Sequence, residues 1–445
     1  MDLGRTMPVT SYLRAFSAAL ALVPVLLIEP AMAQAPAAAA ATLDSGNTAW
    51  MLTATALVLF MTLPGLALFY GGLVQSKNVL SVLMHCFAIA CVVSLLWAIV
   101  AYSLVFSGDG AWLGNLDKAF LAGLDAIKAP GNFPEALFVM YQMTFAIITP
   151  ALIIGAFPER VSFPFIIAFT ILWVLLVYVP AAHWVWGGGW LAAKNVIDFA
   201  GGIVVHTTAG VSALVAAMVI GARKGFPSHV LPPHNPGMTM AGGAMLWVGW
   251  FGFNGGSALA ADGAASNAML ATHLAAAAGA ATWSVIEWLK FGKPSSVGTV
   301  TGMVAGLATI TPAAGHTGPM AAIALGIATG IVCFAVVRFV KTTLRTDDSL
   351  DVFGVHGIGG ILGSLAVAFT GTPSLGGAGL AEGMTAGSQF GVQLLAVGVT
   401  LVWSAIATWI IIKAIDLVCR CRASEEAERE GLDLTAHGER AYDLK

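Results

Sequence analysis

The chain is dominated by apolar stretches long enough to cross a lipid bilayer, and this feature limits the folds open to it. A spanning helix needs about 20 apolar residues, because lipid offers its backbone groups no hydrogen-bond partners. Only 10% of the 445 residues are charged, whereas soluble domains carry about 25%. The sequence therefore predicts an all-α polytopic membrane protein. It excludes a soluble enzyme, and the net charge of −3 argues against nucleic-acid binding.

Eleven apolar segments follow residue 46, and several of them contain Gly or Pro. Membrane helices tolerate both residues when neighbouring helices bond the freed backbone groups. We expect one transport domain over residues 47–418. Its predicted helices are 47–72, 79–107, 134–156, 161–184, 202–221, 238–257, 267–290, 297–312, 318–340, 352–370 and 389–418.

Residues 1–35 have the pattern of a cleaved signal peptide. Arg5 and Arg14 form a basic start, residues 15–28 are apolar, and Ala31-Met32-Ala33 fits the small-x-small cleavage pattern. Residues 36–46 then form a periplasmic spacer, and the mature N-terminus lies outside the cytoplasm. An uncleaved first helix is the alternative.

The positive-inside rule gives the same orientation independently. Nine Lys and Arg residues lie in the loops after the odd-numbered helices, namely Lys77, Arg160, Arg223, Lys224, Lys290, Lys293, Arg338, Lys341 and Arg345. The opposite loops hold three, Lys118, Lys128 and Lys194. Because cytoplasmic loops are enriched in Lys and Arg, the odd-numbered loops and the tail, residues 419–445, are predicted to be cytoplasmic.

The two halves of the domain resemble each other weakly. Residues 65–72 and 249–256 share the pattern Gly-x-x-x-Phe-x-Gly-Gly, and both Asp198 and Asp348 precede a His by eight positions. Five helices is an odd number, so the second copy must insert upside down. The sequence thus predicts a five-plus-five inverted repeat, about 47–221 and 238–370, with one extra C-terminal helix. Sites in such folds lie near the midplane between the repeats.

The two repeat-related histidines, His206 and His356, are the leading functional candidates. An ionisable side chain inside an apolar helix is costly and marks a functional site by default. Neutral imidazoles can pass a proton without placing a fixed charge in the bilayer. A hydrogen-bonded core histidine is the plainer interpretation. A metal site is the other, but no third ligand lies at a useful spacing.

Asp198 and a Trp cluster mark the predicted outer end. Asp198 precedes the fifth helix, so it is expected to cap that helix, and it can also shape a cation vestibule. Trp184, Trp186 and Trp190 are typical of a membrane-interface belt. A Trp facing a vestibule would instead bind a cation by its π face.

The motifs at 198–206, 249–257 and 351–357 resemble signatures of the ammonium transporter/methylammonium permease/Rhesus family, in its bacterial branch. The resemblance extends over about residues 45–445. It implies a homotrimer with one pathway per subunit, no cofactor and no resident metal. It also implies roles for individual residues: an outer ammonium site of Trp186, Phe145, Tyr141 and Ser257, shaped by Asp198; a phenyl gate of Phe145 and Phe253; and a pore-lining pair of His206 and His356.

The resemblance further implies selective uptake of ammonium or ammonia across the bacterial inner membrane. The tail would contact a cytoplasmic PII-type nitrogen-regulatory protein; a disordered end without a role is the alternative. Two other functions remain open. One is an ammonium sensor of the same fold that signals through its tail, and the other is an ion-coupled transporter of another inverted-repeat family.

Overall fold

The computed structural model describes residues 42–229 and 232–443. The predicted signal peptide and residues 36–41 of the predicted spacer lie outside this part of the chain. The described part is almost entirely helical, with one short antiparallel hairpin, β1 (Ile127–Lys128) and β2 (Phe133–Pro134). Its long helices are α1 (Ser45–Leu73), α2 (Ser76–Phe106), α3 (Glu135–Ala156), α4 (Phe163–Val185), α5 (Gly202–Ile220), α6 (Pro236–Trp250), α7 (Gly263–Phe291), α8 (Ser296–Ala313), α9 (Pro319–Thr342), α10 (Phe353–Thr370) and α11 (Ala386–Asp416).

Ten of these helices are long and apolar enough to cross a membrane. The exception is α6, which continues through a π-helical turn, Phe251–Gly255. It is rich in Gly and packs against α1 and α8. The all-helical polytopic fold is confirmed. The eleventh predicted span, α6, is assigned to the bundle by its packing, because its own hydropathy is too low to identify it as a span.

With the π-helical turn Phe251–Gly255 counted as part of α6, the predicted helix bounds agree with the structure to within four residues. The largest difference is at α7, which begins at Gly263 rather than at 267. The carboxylate of Asp262 caps this helix by accepting a hydrogen bond from the Ala265 N–H at 2.9 Å. The apolar pattern begins after this cap, so the prediction from apolar residues alone placed the start of α7 four residues too late.

The exterior of the helical bundle is apolar. Large side chains such as Leu95, Leu176, Ile331 and Ile410 are exposed along the sides of the long helices. In water such a surface would be costly, but lipid chains solvate it at no hydrophobic penalty. The interior is filled by aromatic and small residues, and this is where the functional candidates lie.

Helices α1 and α6 cross closely and run antiparallel. A Cβ atom added at Gly242 would fall on the backbone of Phe69, and one added at Gly249 would lie 2.8 Å from the carbonyl oxygen of Leu57. One added at Gly72 would lie 2.6 Å from the carbonyl oxygen of Asn235. Small residues at these positions therefore permit backbone-to-backbone packing. Residues 65–72 of the first Gly pattern pack against residues 235–246 of α6 and its N-cap, and residues 249–255 of the second pattern pack against residues 50–61 of α1.

Helices α5 and α10 form a second antiparallel crossing of the same kind. A Cβ atom added at Gly210 would overlap the backbone of Gly357, and one added at Gly360 would lie 2.5 Å from the carbonyl oxygen of Gly202. The crossing places His206 and His356 side by side. The two Asp-to-His motifs therefore meet at their histidines across the interface between the halves.

The loops after the odd-numbered helices lie at one end of the bundle, here called the basic end. The guanidinium of Arg160 is fully buried there and donates to the carbonyl oxygens of Gly221, Ala156 and Asp347, at 2.8, 2.9 and 2.8 Å. Burial lowers the pKa of Arg160 to about 10, so the group stays charged at neutral pH. Arg160 thus joins three loops.

The tail packs along the same end of the bundle and contains two short helices, α12 (Glu425–Glu430) and α13 (Leu432–His437). Its Ala423 N–H donates to the carbonyl oxygen of Arg160 at 3.0 Å. The carboxylate of Asp433 accepts from the Ser81 N–H at 2.8 Å and so caps the start of α2. In the described residues, the tail is a folded part of the basic end.

We predict that Gly210→Ala destabilises the protein by about 1–3 kcal/mol, because the new methyl group must push α5 away from α10. Gly398→Ala in α11 is the matched control, since a Cβ atom there would meet nothing within 4 Å. Thermal unfolding of the purified protein in detergent measures both. Equal midpoints for the two variants would show that the crossing is looser than described.

Candidate functional site

Two cavities face each other from opposite ends of the bundle. The outer cavity, at the end opposite the basic end, has a volume of about 270 Å³. The inner cavity opens at the basic end and has a volume of about 720 Å³. The outer cavity is lined by Phe106, Phe138, Gln142, Phe145, Val185, Trp186, Phe199, Ser257 and Leu259. The inner cavity has Tyr70, Lys341, Asp351 and His356 among its lining residues.

A column of rings separates the two cavities. The ring of Phe145 lies edge-on to Trp186, with centroids 5.8 Å apart, and meets Phe253 at 4.4 Å. Phe253 stacks on His206 at 6.1 Å, and His206 stacks on His356 at 5.2 Å. Five of the predicted residues are therefore brought together in one continuous path.

Helix α3 supplies one wall of the outer cavity. Phe138, Gln142 and Phe145 lie on one face because their spacing of four and three residues matches the helical period. Gln142 was not among the predicted site residues. Its helical register with Phe145 was the signal that would have found it.

The two histidines meet inside π-helical turns. His206 lies in Gly202–Thr207 and His356 in Phe353–Gly357, and such turns often occur at functional sites. The Nδ1 atoms are 3.2 Å apart, so one imidazole donates its Nδ1–H to the other. The Nε2 atom of His206 is buried and has no hydrogen-bond partner in the described residues. His356 lines the inner cavity.

Trp250 is another residue that the sequence analysis missed. It stacks on His206 with ring centroids 5.5 Å apart and an interplanar angle of 20°. Trp250 precedes Phe253 by three residues, so one face of α6 and its π-turn carries both rings. The imidazole of His206 is thereby held between aromatic faces. No cluster of three or more His, Cys, Asp or Glu side chains suited to a metal occurs in the described ranges.

Asp198 acts as a cap and does not line the outer cavity. Its two carboxylate oxygens accept hydrogen bonds from the four backbone N–H groups of residues 201–204 at the start of α5. Burial raises the pKa of Asp198 to about 6, and these four donors oppose the rise. Asp348 holds the start of α10 in the same way, by accepting from the N–H groups of Val352 and Phe353 at 3.0 and 2.8 Å.

The capping turn also positions Trp186. Its indole Nε1–H donates to the backbone carbonyl oxygen of Asp198 at 2.8 Å. Trp184 and Trp190 do not line the outer cavity and instead pack with Trp112. Of these three Trp residues, Trp186 is therefore the one whose position allows it to contact a cation in the outer cavity.

Tyr141 is not part of the wall of the outer cavity. It is buried, with 1% of its surface exposed, and it does not line the outer cavity. Its hydroxyl donates toward the carbonyl oxygens of Gly252 and Phe253, both at 3.0 Å, and lies 3.2 Å from the Ser257 hydroxyl. Ser257 itself lines the cavity.

Comparison with known proteins identifies the family to which this chain belongs. A family model described as the Ammonium Transporter Family matches residues 49–442. An ammonium transporter of Bacillus subtilis is 48% identical over 406 residues, which cover 90% of this chain and 99% of that protein. The chain belongs to the ammonium transporter family. This family consists of transporters, so the protein is not an enzyme, and ammonium is the substrate that the family implies.

Solved structures with Amt and Mep2 titles have the same fold as this chain. A protein titled Sensor Amt Protein has a TM-score of 0.82 at 31% identity and covers 88% of this chain and 98% of its own. Candida albicans Mep2 has a TM-score of 0.78 at 33% identity, covering 86% and 87%. An ammonium transporter of Aquifex aeolicus is 45% identical over 92% of this chain and 96% of that protein. The resemblance noted from the motifs is confirmed.

We predict that Asp198→Ala destabilises this ammonium transporter family member by about 2 kcal/mol, because four buried N–H groups lose their acceptor. Asp198→Asn keeps one acceptor oxygen, and we expect about half that loss. Asp262→Ala, which removes the exposed cap of α7, is the control and costs about 0.5–1 kcal/mol. Thermal unfolding in detergent would contradict the assignment if Asp198→Ala and Asp262→Ala behaved alike.

Proposed function

We propose that the protein carries out selective uptake of ammonium across the bacterial inner membrane. The observation that supports this most is the column of rings, from Trp186 to His356, that separates two cavities at opposite ends of the bundle. Membership of the ammonium transporter family supplies the substrate.

The outer cavity is the proposed recruitment site for the ammonium cation. Trp186 and Phe145 offer π faces, which attract a cation by about 2 kcal/mol when the site is desolvated. Ser257 adds a hydroxyl oxygen that accepts an N–H bond from ammonium. Asp198 contributes from behind, through the turn that positions Trp186, and Tyr141 through its contact with Ser257.

The phenyl rings of Phe145 and Phe253 form the proposed gate. Their centroids are 4.4 Å apart, so the rings are in contact and leave no room for a hydrated ion. Potassium has the same charge as ammonium and a similar size, but it cannot lose a proton. Below the gate the column offers no formal charge to compensate a bare cation. A species that crosses as neutral ammonia is therefore favoured.

The histidine pair provides the proposed path below the gate. With Nδ1 bonded to Nδ1, each imidazole has one Nε2 left for the pathway. A proton taken up at Nε2 of His206 can be passed through the shared Nδ1–H to His356. It can then be released from Nε2 of His356 into the inner cavity. Ammonia that is hydrogen-bonded to the same Nε2 atoms would follow a parallel route.

We predict that His206→Ala abolishes selective transport, with flux at least about tenfold lower or with potassium admitted. The reason is that an apolar residue there leaves ammonia without hydrogen-bond partners. The measurement is current across a supported membrane with reconstituted protein after an ammonium pulse, together with uptake of labelled methylammonium. A sustained current shows that net charge moves, and uptake without current shows net ammonia.

His85→Ala is the control for this experiment. His85 is equally buried but packs on Phe163, at the basic end, outside the ring column. We expect His85→Ala to keep selective flux. Wild-type flux and ammonium/potassium selectivity in His206→Ala would rule out the proposed role.

A sensor is the second candidate function, favoured by the similarity to the protein titled Sensor Amt Protein. A sensor would bind ammonium with little flux, so the uptake measurement above separates the two functions. An ion-coupled transporter would require a second ion, and uptake that persists without sodium would argue against sodium coupling.

The orientation and assembly are part of the same proposal. The N-terminus would be periplasmic after removal of a signal peptide, and the basic end would face the cytoplasm because its loops carry most of the Lys and Arg. The exposed apolar sides of the helices are suited to lipid and to two further copies in a homotrimer.

The tail is proposed to bind a PII-type nitrogen-regulatory protein. Its support is the folded docking on the basic end, where Lys77 donates to the carbonyl oxygens of Glu428 and Arg429 at 3.0 and 2.6 Å. Arg223 lines both the inner cavity and a smaller pocket that Glu428 and Arg429 also line, so a protein bound to the tail would lie close to the inner cavity.

We predict that deletion of residues 419–445 leaves membrane insertion intact and lowers the affinity for purified PII protein by at least about tenfold. Full-length protein and the deletion variant are compared by binding of labelled PII in detergent. Asp433→Ala, which removes only the cap on α2, should weaken binding less. Unchanged affinity in the deletion variant would remove this part of the proposal.

A further inference from the structure

We infer that Tyr141 is a positioning residue for Ser257. Its hydroxyl holds the Ser257 hydroxyl so that oxygen lone pairs, rather than the hydrogen, face the outer cavity. This inference rests on the proposed function, in which Ser257 accepts a hydrogen bond from ammonium. It gives Tyr141 a role other than the aromatic wall expected from the sequence.

The position of Tyr141 separates it from the substrate. The side chain is fully buried between α3 and the π-turn of α6 and does not line the cavity. Its ring packs edge-on against the ring of Phe145, with centroids 5.0 Å apart, and its hydroxyl lies 3.2 Å from the Ser257 oxygen. Whatever Tyr141 contributes must therefore act through Phe145, through Ser257 or through the backbone of the π-turn. Removing the hydroxyl alone leaves the ring contact with Phe145 in place.

The hydrogen bonds of Ser257 determine which part of its hydroxyl faces the cavity. A serine hydroxyl has one hydrogen and two lone pairs. The hydrogen has two acceptors within reach, the carbonyl oxygen of Phe253 at 2.9 Å and the Tyr141 hydroxyl at 3.2 Å. Neither Phe253 nor Tyr141 lines the cavity. The hydrogen is therefore directed away from the cavity, which leaves a lone pair toward it.

The Tyr141 hydroxyl completes this arrangement because its own hydrogen is used elsewhere. It lies 3.0 Å from the carbonyl oxygens of Gly252 and of Phe253. Donation to Gly252 leaves the carbonyl of Phe253 and the Tyr141 oxygen both available to Ser257. Gly256 makes the room, since a Cβ atom there would lie 2.6 Å from the Tyr141 oxygen.

The consequence is an effect on affinity rather than on the rate of passage. A lone pair accepts an N–H bond from ammonium, whereas a hydroxyl hydrogen turned toward the cavity would repel the cation. Without the Tyr141 oxygen, the Ser257 hydrogen has one acceptor, the carbonyl oxygen of Phe253, instead of two. The Ser257 hydroxyl also gains space in which to rotate. The orientation that binds ammonium is then less populated.

The test is a double-mutant cycle in the full-length protein, measured as ammonium-pulse currents over a concentration series. Tyr141→Phe keeps the ring and removes the hydroxyl. We expect an increase of about 3- to 10-fold in KM, the effect of one net hydrogen bond, with a maximum current within about twofold of wild type. In a Ser257→Ala background, Tyr141→Phe should change KM by less than about twofold.

Tyr178→Phe is the matched control. Tyr178 is a fully buried tyrosine in α4, and its hydroxyl has no hydrogen-bond partner in the described part of the chain. It makes the same chemical change without touching Ser257, so we expect KM to stay at the wild-type value. Unfolding midpoints of all variants report on packing separately.

Two results would overturn the inference while the proposed function stands. One is a wild-type KM in Tyr141→Phe, and the other is the same rise in KM with and without Ser257, which would indicate general packing. Absence of any ammonium-dependent current or uptake in the wild-type protein would instead overturn the proposed function, and this inference with it.

Discussion

The crossing of α5 and α10 at Gly210 and Gly357 is the contact on which the column of rings depends. Two helices without side chains at their contact approach more closely than helices with larger residues. This brings two imidazoles, 150 residues apart in the chain, to an Nδ1–Nδ1 distance of 3.2 Å. The ring column exists only because this distance is short.

The few formal charges near the path are used to hold it in place. Asp198 and Asp348 are both buried, and each accepts backbone hydrogen bonds at the start of the helix that carries His206 or His356. Arg160 is buried at the basic end and bonds three loops and the tail. Charge therefore fixes the ends of the helices, while the stretch between the cavities carries two imidazoles and aromatic rings.

Much of the candidate site could be predicted from the sequence, because its motifs are long and ordered. The histidine pair was predicted because both residues lie within apolar helices and both follow an Asp by eight positions. The pattern did not separate residues that face the cavity from those behind it. Tyr141 and Ser257 were assigned to one aromatic site, yet Tyr141 lies behind Ser257. Gln142 was missed although its helical register with Phe145 indicated it. Trp250 was missed because the sequence does not show which ring of α6 meets His206 of α5.

The sequence by itself determined the class of protein, the helix bounds to within four residues, and the inverted relation of the two halves. These follow from local quantities, namely apolar length and repeated spacing. Only the tertiary structure decided that Asp198 gives its carboxylate to four backbone donors and that α6 belongs in the bundle despite its low hydropathy. It also decided that the two acceptors within reach of the Ser257 hydroxyl lie outside the cavity wall. These depend on which groups meet across helices, and the pattern within one helix carries no information about its partner.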